Sequence, residues 1–150
     1  MLSQKIQDAF NKQVNAELFS SYLYLSMGAW AEAHNLKGMA QWMRLQAQEE
    51  LQHGLKFFDF INERGGTAVL TQIEAPRTEW ASPLDAFEDT YAHECKVTGL
   101  INDLVDLTIS ERDHAANAFL QWFVTEQVEE ESAATEAIGK FKLAGDHPGA

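Results

Sequence analysis

The sequence predicts an all-α fold: a four-helix bundle forming a single domain over residues 1–150, with a long crossover between the second and third helices. Two observations carry this. Apolar residues recur at three- and four-residue intervals through four long segments. Two of the three breaks between those segments are short and one is long, which fixes the order in which helices can lie side by side. The length suits one domain, being enough to bury a core and too little for two comfortable ones.

The first helix is expected over Leu2 to Ala33 and the second over Leu36 to Arg64, neither containing proline, with the His34-Asn35 break making them an antiparallel pair. Ser82-Pro83 starts the third, a cap followed by proline at the first helical position, and carries it to about Ile109. The fourth is expected from near Ser110, whose spacing to Asp113 resembles a capping box, to about Leu143. At ~1.5 Å per residue each helix is roughly 45 Å long. Gly65 to Ala81 lacks periodicity, but at ~3.3 Å per residue it reaches ~55 Å, enough to run the bundle's length and start helix three parallel to helix two. This gives an up-down-down-up order. Val69, Leu70, Ile73 and Trp80 would let the crossover pack on the bundle or on a neighbouring subunit.

Composition narrows the function. A formal net charge of −12 argues against nucleic acid as a partner, since phosphate neutralisation needs clustered Lys and Arg, and points to cations instead. Neither a leader at MLSQKIQDAF nor an apolar run of bilayer length is present, so no membrane association is expected. Cys95 is the single cysteine; this excludes an intrachain disulfide or a thiolate metal site and agrees with a cytoplasmic location. Cys95 is expected in core packing.

The core-facing stripes contain residues that do not belong in a core. Helix one gives Phe10, Val14, Glu17, Ser21, Tyr24 and Gly28; helix two gives Leu36, Met43, Ala47, Glu50, His53 and Phe57. Helix three gives Leu84, Phe87, Tyr91, Glu94, Thr98, Ile101 and Val105; helix four gives Ala116, Leu120, Phe123, Gln127, Glu130 and Ala134. An unpartnered buried carboxylate costs several kcal/mol, and no stripe contains Lys or Arg. Four glutamates balance two divalent cations, which implies a dinuclear metal site. Glu50 and His53, at i and i+3, lie one above the other, so both can reach one ion while Glu50 bridges to a second. Oxygen ligands with one imidazole and no thiolate suit iron or manganese, and redox chemistry favours iron.

These residues resemble the ferritins, specifically the bacterial and archaeal non-haem type. The resemblance covers nearly the whole chain and rests on Glu17 with Tyr24, on QAQEELQH from Gln46 to His53, on Glu94, and on WFVTEQVEEE from Trp122 to Glu131. It implies a ferroxidase centre in which Glu17, Glu50 and His53 hold one iron and Glu50, Glu94 and Glu130 the other, with Gln127 hydrogen-bonded nearby. Tyr24 would lie beside the centre as a hydrogen-bond partner and electron donor, though its position fits a packed aromatic equally well. A third, inner iron site would take Glu49, Glu126 and Glu129 with Glu130, acids that periodicity alone assigns to the solvated surface. The implied activity is oxidation of Fe(II) by dioxygen or peroxide, with storage inside a homo-oligomeric shell of twenty-four subunits.

Haem is not expected: the similar haem-binding bacterioferritins carry a second Glu-x-x-His where this chain has Gln127-x-x-Glu130, and a methionine where it has Leu51. The same missing imidazole, and the missing cysteine pairs, argue against a di-iron peroxidase of rubrerythrin type. A non-enzymatic helical metal buffer is the other alternative, separated from a ferroxidase by dioxygen uptake. The sequence ends with AGDHPGA, so the short fifth helix of the family is expected to be absent or removed. Glu111, Asp113 and His114 could line an iron entry channel, although capping explains Asp113 equally well. His34, His93 and His147 fall off the metal stripes and are expected at the surface.

Overall fold

Serine, aspartate and three left-handed residues set the helix boundaries. The computed structural model describes residues 1–144, so His147 and the expectation about a fifth helix lie outside the described residues. It has four helices: α1 (Gln4–Ala33), α2 (Lys37–Glu63), α3 (Pro83–Ser110) and α4 (His114–Ala144), with no strand among the described residues. The chain divides into two compact units, Met1–Glu79 and Trp80–Ala150.

In the first unit Ser3 caps α1, its Oγ accepting from Ile6 N at 3.2 Å. The helix stops at Asn35, which takes φ 59° while Leu36 N donates to Ala31 O and Asn35 N to Glu32 O. That is a Schellman ending, and asparagine is among the few side chains that tolerate the left-handed position. Gly65 does the same for α2 at φ 77°, with Gly66 N donating to Ile61 O. Between these ends α1 and α2 pack antiparallel: Phe10 meets Phe57 edge to face at 5.2 Å, and Ile6, Val14, Met27, Met43 and Ile61 are buried along the two helices.

The segment after α2 has no regular structure, yet its backbone is satisfied by α1 side chains. Gln7 Oε1 accepts from Thr67 N, Asn11 Oδ1 from Val69 N at 2.8 Å, and Asn11 Nδ2 donates to Thr67 O. Farther along, Asn15 Nδ2 donates to Thr71 Oγ1 and Gln72 O, and Ser26 Oγ donates to Arg77 O at 2.7 Å. The crossover thus runs along its own α1, while Val69 and Leu70 remain exposed. Trp80 is buried in the second unit, donating to Asp89 Oδ2 at 2.8 Å.

In the second unit Ser82 caps α3, accepting from Asp85 N, and Asp85 reaches back to Ala81 N, with Pro83 in the first turn as expected. The expected capping box at Ser110 does not form. Ser110 is the last residue of α3, Arg112 takes the left-handed position at φ 56°, and Asp113 caps α4 by accepting from Ala116 N. Helix three is also turned from its expected face: Ala86, Thr90, Val97, Leu104 and Thr108 are buried, whereas Leu84, Tyr91, Thr98 and Val105 are half-exposed. Threonine explains the error, because Thr90 Oγ1 donates to Ala86 O within the helix and so buries as readily as an apolar residue. The α4 stripe of Ala116, Leu120, Phe123, Gln127, Glu130 and Ala134 is buried as expected. Cys95 is half-buried, outside the core assigned to it.

Candidate metal centre

In the first unit, α1 contributes Glu17 and α2 contributes Glu50 and His53, with relative exposures of 1%, 1% and 4%. One ligand atom from each lies within 4.8 Å of the other two. His53 Nδ1 is 3.1 Å from Glu50 Oε2, one helical turn away, and 3.9 Å from Glu17 Oε2. Gln13 Nε2 donates to Glu17 Oε1 at 3.0 Å, and Glu17 Oε2 accepts no hydrogen bond. Burial pushes the Glu17 carboxyl well above its ordinary value of 4.5, and the neighbouring Glu50, as a like charge and as a hydrogen-bond partner of the protonated form, pushes the same way. Gln13 and His53 oppose the shift more weakly. Glu17 thus keeps its proton to higher pH than a free carboxyl does, and the triad can offer a hard, oxygen-rich seat to a divalent cation.

In the second unit, α3 contributes Glu94 and α4 contributes Gln127 and Glu130, all buried. Gln127 Nε2 faces Glu94 Oε2 at 3.1 Å, Glu94 O at 3.2 Å and Thr98 Oγ1 at 3.2 Å. Thr98 Oγ1 in turn donates to Glu131 Oε2 at 2.5 Å, and Cys95 Sγ lies 3.6 Å from Glu131 Oε1. No Lys or Arg among the described residues is buried, so no cation of the chain neutralises these acids from within the core.

Of the remaining expected site residues, Tyr24 is wholly buried on α1, two turns beyond Glu17 on the same face. Glu49 and Glu129 are exposed and Glu126 is half-buried, one turn before Glu130. Asp113 caps a helix, beside exposed Glu111 and His114. His34 is exposed and stacks on Trp30. His93 departs from its surface assignment. It is half-buried, and desolvation, helped by Lys96, lowers its pKa to about 4. Sequence reasoning missed Gln13, Thr98 and Glu131 as supports of the acids. The signal was available for Gln13, whose i, i+4 spacing to Glu17 suits an amide–carboxylate pair on one helix face. No helix among the described residues is long and apolar enough to cross a membrane.

A family profile described as "Ferritin-like domain" matches residues 7–144. A bacterial non-heme ferritin of Bacteroides fragilis is 44% identical over 146 residues, covering 97% of this chain and 92% of that protein. Among solved structures, an open pore ferritin of the hyperthermophilic archaeon Archaeoglobus fulgidus superposes with a TM-score of 0.97 at 49% identity, covering 98% of this chain and 90% of the other. Chlorobium tepidum ferritin superposes with a TM-score of 0.93 at 42% identity over 96% of this chain and 88% of that one.

Proposed function

Because the chain belongs to the ferritin family and shares its all-α four-helix fold, we propose that it is an iron-storage subunit that oxidises Fe(II) at a two-iron ferroxidase centre within a single domain. The observation that carries this is the buried Glu17–Glu50–His53 triad, unsatisfied at Glu17 Oε2 and without a buried Lys or Arg to neutralise it. In this reading Glu17, Glu50 and His53 hold one ferrous ion, and Glu50, Glu94 and Glu130 hold the second, with Gln127 restraining Glu94. The four carboxylates balance the charge of two divalent ions, and hard oxygen donors with one imidazole fit ferrous and ferric iron alike.

Iron is the substrate here, and the chain's work is to bind and orient it. Held side by side, the two ions deliver two electrons together: two Fe(II) become two Fe(III), and dioxygen takes up the two electrons and two protons as hydrogen peroxide. Peroxide as oxidant takes two electrons and two protons to give two waters. Gln13 fixes one oxygen of Glu17 and leaves the other for the ion. Tyr24, buried on the Glu17 face, would serve as a hydrogen-bond partner and electron donor. Glu49, Glu126 and Glu129 would pass ferric iron onward with Glu130 as a third, inner site, a role their greater exposure suits. No group of the proposed centre calls for haem.

Storage requires an enclosed space, so self-association into a twenty-four-subunit cytoplasmic shell completes the reading. Tyr22, Leu25, Leu51, Leu55, Val69 and Leu70 of the first unit are exposed apolar side chains available for such contacts. The test is aerobic addition of ferrous iron to the wild type and to Glu50→Ala/His53→Ala, following ferric absorbance, with size-exclusion chromatography of both. Rapid oxidation by the wild type alone, in a shell-sized particle retaining many irons per chain, is expected. Equal, slow oxidation by both proteins would end the ferroxidase reading.

A further inference from the structure

We propose that Glu131 and Thr98 are positioning residues for Glu94, acting through the Gln127 amide; this rests on Glu94 being an iron ligand as argued above. The terminal torsion of a glutamine is soft and two-fold, so Gln127 can present either its NH₂ or its carbonyl oxygen to Glu94 with little intrinsic preference. Facing Glu94 Oε2 at 3.1 Å, only the NH₂ is attractive. Thr98 locks that orientation from a third side, beside Glu94 O. Its hydroxyl has a single proton and two acceptors in reach, Glu94 O at 3.0 Å and Glu131 Oε2 at 2.5 Å; the shorter contact, to a charged carboxylate, takes it and leaves Glu94 O to the Gln127 amide. The hydroxyl therefore turns a lone pair to Gln127, 3.2 Å away, and a lone pair selects the NH₂. Glu131 is held in this acceptor role at its other oxygen by Cys95, whose Sγ is 3.6 Å from Oε1.

The direction of every hydrogen bond in the series thus runs from one end: Glu131 accepts from Thr98, Thr98 accepts from Gln127, and Gln127 donates to Glu94. The amide's hold on Oε2 fixes the orientation in which the Glu94 carboxylate meets an ion. A carboxylate fixed this way meets the metal without first losing rotamer freedom, which is how outer residues tune a metal site. None of Thr98, Cys95 and Glu131 is fully buried, so the series leads from the buried acid toward the surface of the α3–α4 pair.

The test uses the intact, iron-free protein and Co(II), a redox-inert probe, read by calorimetry and by its visible ligand-field absorption. The variants are Thr98→Val, which keeps the shape and removes the hydroxyl, Thr98→Ser, which keeps the hydroxyl, Glu131→Gln, and the double Thr98→Val/Glu131→Gln. The wild type is expected to take up two ions per chain. Thr98→Val and Glu131→Gln should each weaken one of the two by about tenfold, within the usual range for outer-shell changes, and leave the other and the melting temperature unaltered. Thr98→Ser should restore wild-type binding, and the double variant should lose no more than Thr98→Val, because Glu131 acts through Thr98. Wild-type affinity in all variants, failure of serine to rescue, or additive losses in the double overturns the positioning role while leaving the two-iron reading intact. A wild type that takes up no Co(II) overturns both.

Discussion

Replacing Glu17 by glutamine separates what the buried acids do for function from what they do to stability. The side chain keeps its size and its partner Gln13, but the charge beside Glu50 is gone, and an amide NH₂ can donate to that carboxylate where the ionised Glu17 oxygen could not. In the metal-free wild type with Glu17 ionised, its Oε2 is a buried acceptor without a hydrogen bond, a loss of about 1–3 kcal/mol for such a group. Taking ~2 kcal/mol, and ~2–4 °C per kcal/mol for a chain of this size, the variant should melt about 4–8 °C higher than the metal-free wild type at pH 7. The difference should depend on pH. Because the folded-state pKa of Glu17 is raised, the folded chain keeps its proton where the unfolded chain has lost it. The associated stability is complete below 4.5 and is lost as pH climbs through the raised value, so the gap between variant and wild type should close at low pH and widen toward neutrality. Divalent metal should reverse the order: at a hundredfold excess over Kd each bound ion adds ~2.7 kcal/mol to the wild type, while the variant has lost a ligand. Thermal unfolding with and without Co(II) across this pH range is the assay. A metal-free variant no more stable than the wild type at pH 7 would refute the claim that Glu17 is held at a cost in stability.

Arg112→Gly should stabilise the chain by about 0.5–1 kcal/mol in a denaturant titration, since a non-glycine residue at φ 56° carries a steric cost that glycine lacks. Asp113→Ala should cost about 1 kcal/mol by removing the α4 cap, and Asp113→Asn, which keeps an accepting oxygen, should restore most of it. Phe57→Ala should cost about 3–5 kcal/mol, because the ring is wholly buried against Phe10, and both amounts are read from the shift in denaturant midpoint. His93 should titrate by NMR near 4 rather than near 6.5, with stability present above 6.5 and drained as pH falls from there toward 4, where the unfolded chain takes the proton first.

The four helices were legible because their signals are local: Ser82-Pro83 and the apolar spacing act within a few residues. The acids on the α1, α2 and α4 faces were legible for the same reason, as each interrupts an otherwise apolar row. Two things were not. The α3 face was misjudged because Thr90 and Thr108 read as polar, yet their hydroxyls return to the helix backbone. The supports of the acids were missed because Thr98 and Glu131 are thirty-three positions apart and ordinary in isolation. Their pairing is made by α3 lying against α4, which no window along the chain contains.

The crossover is routed by amide and hydroxyl side chains that belong to α1. Gln7, Asn11, Asn15 and Ser26 engage mostly its main-chain atoms, which every residue type except proline supplies in full. The path of this segment is therefore written in the first helix and not in the segment itself. Its own side chains are released from specifying where it goes, so positions such as 69 and 70 can drift, or be chosen for an outward purpose, without the trace of the chain changing. Substitutions in α1 at 11 or 15 should be felt along the whole stretch, whereas substitutions within it should be felt only where they fall.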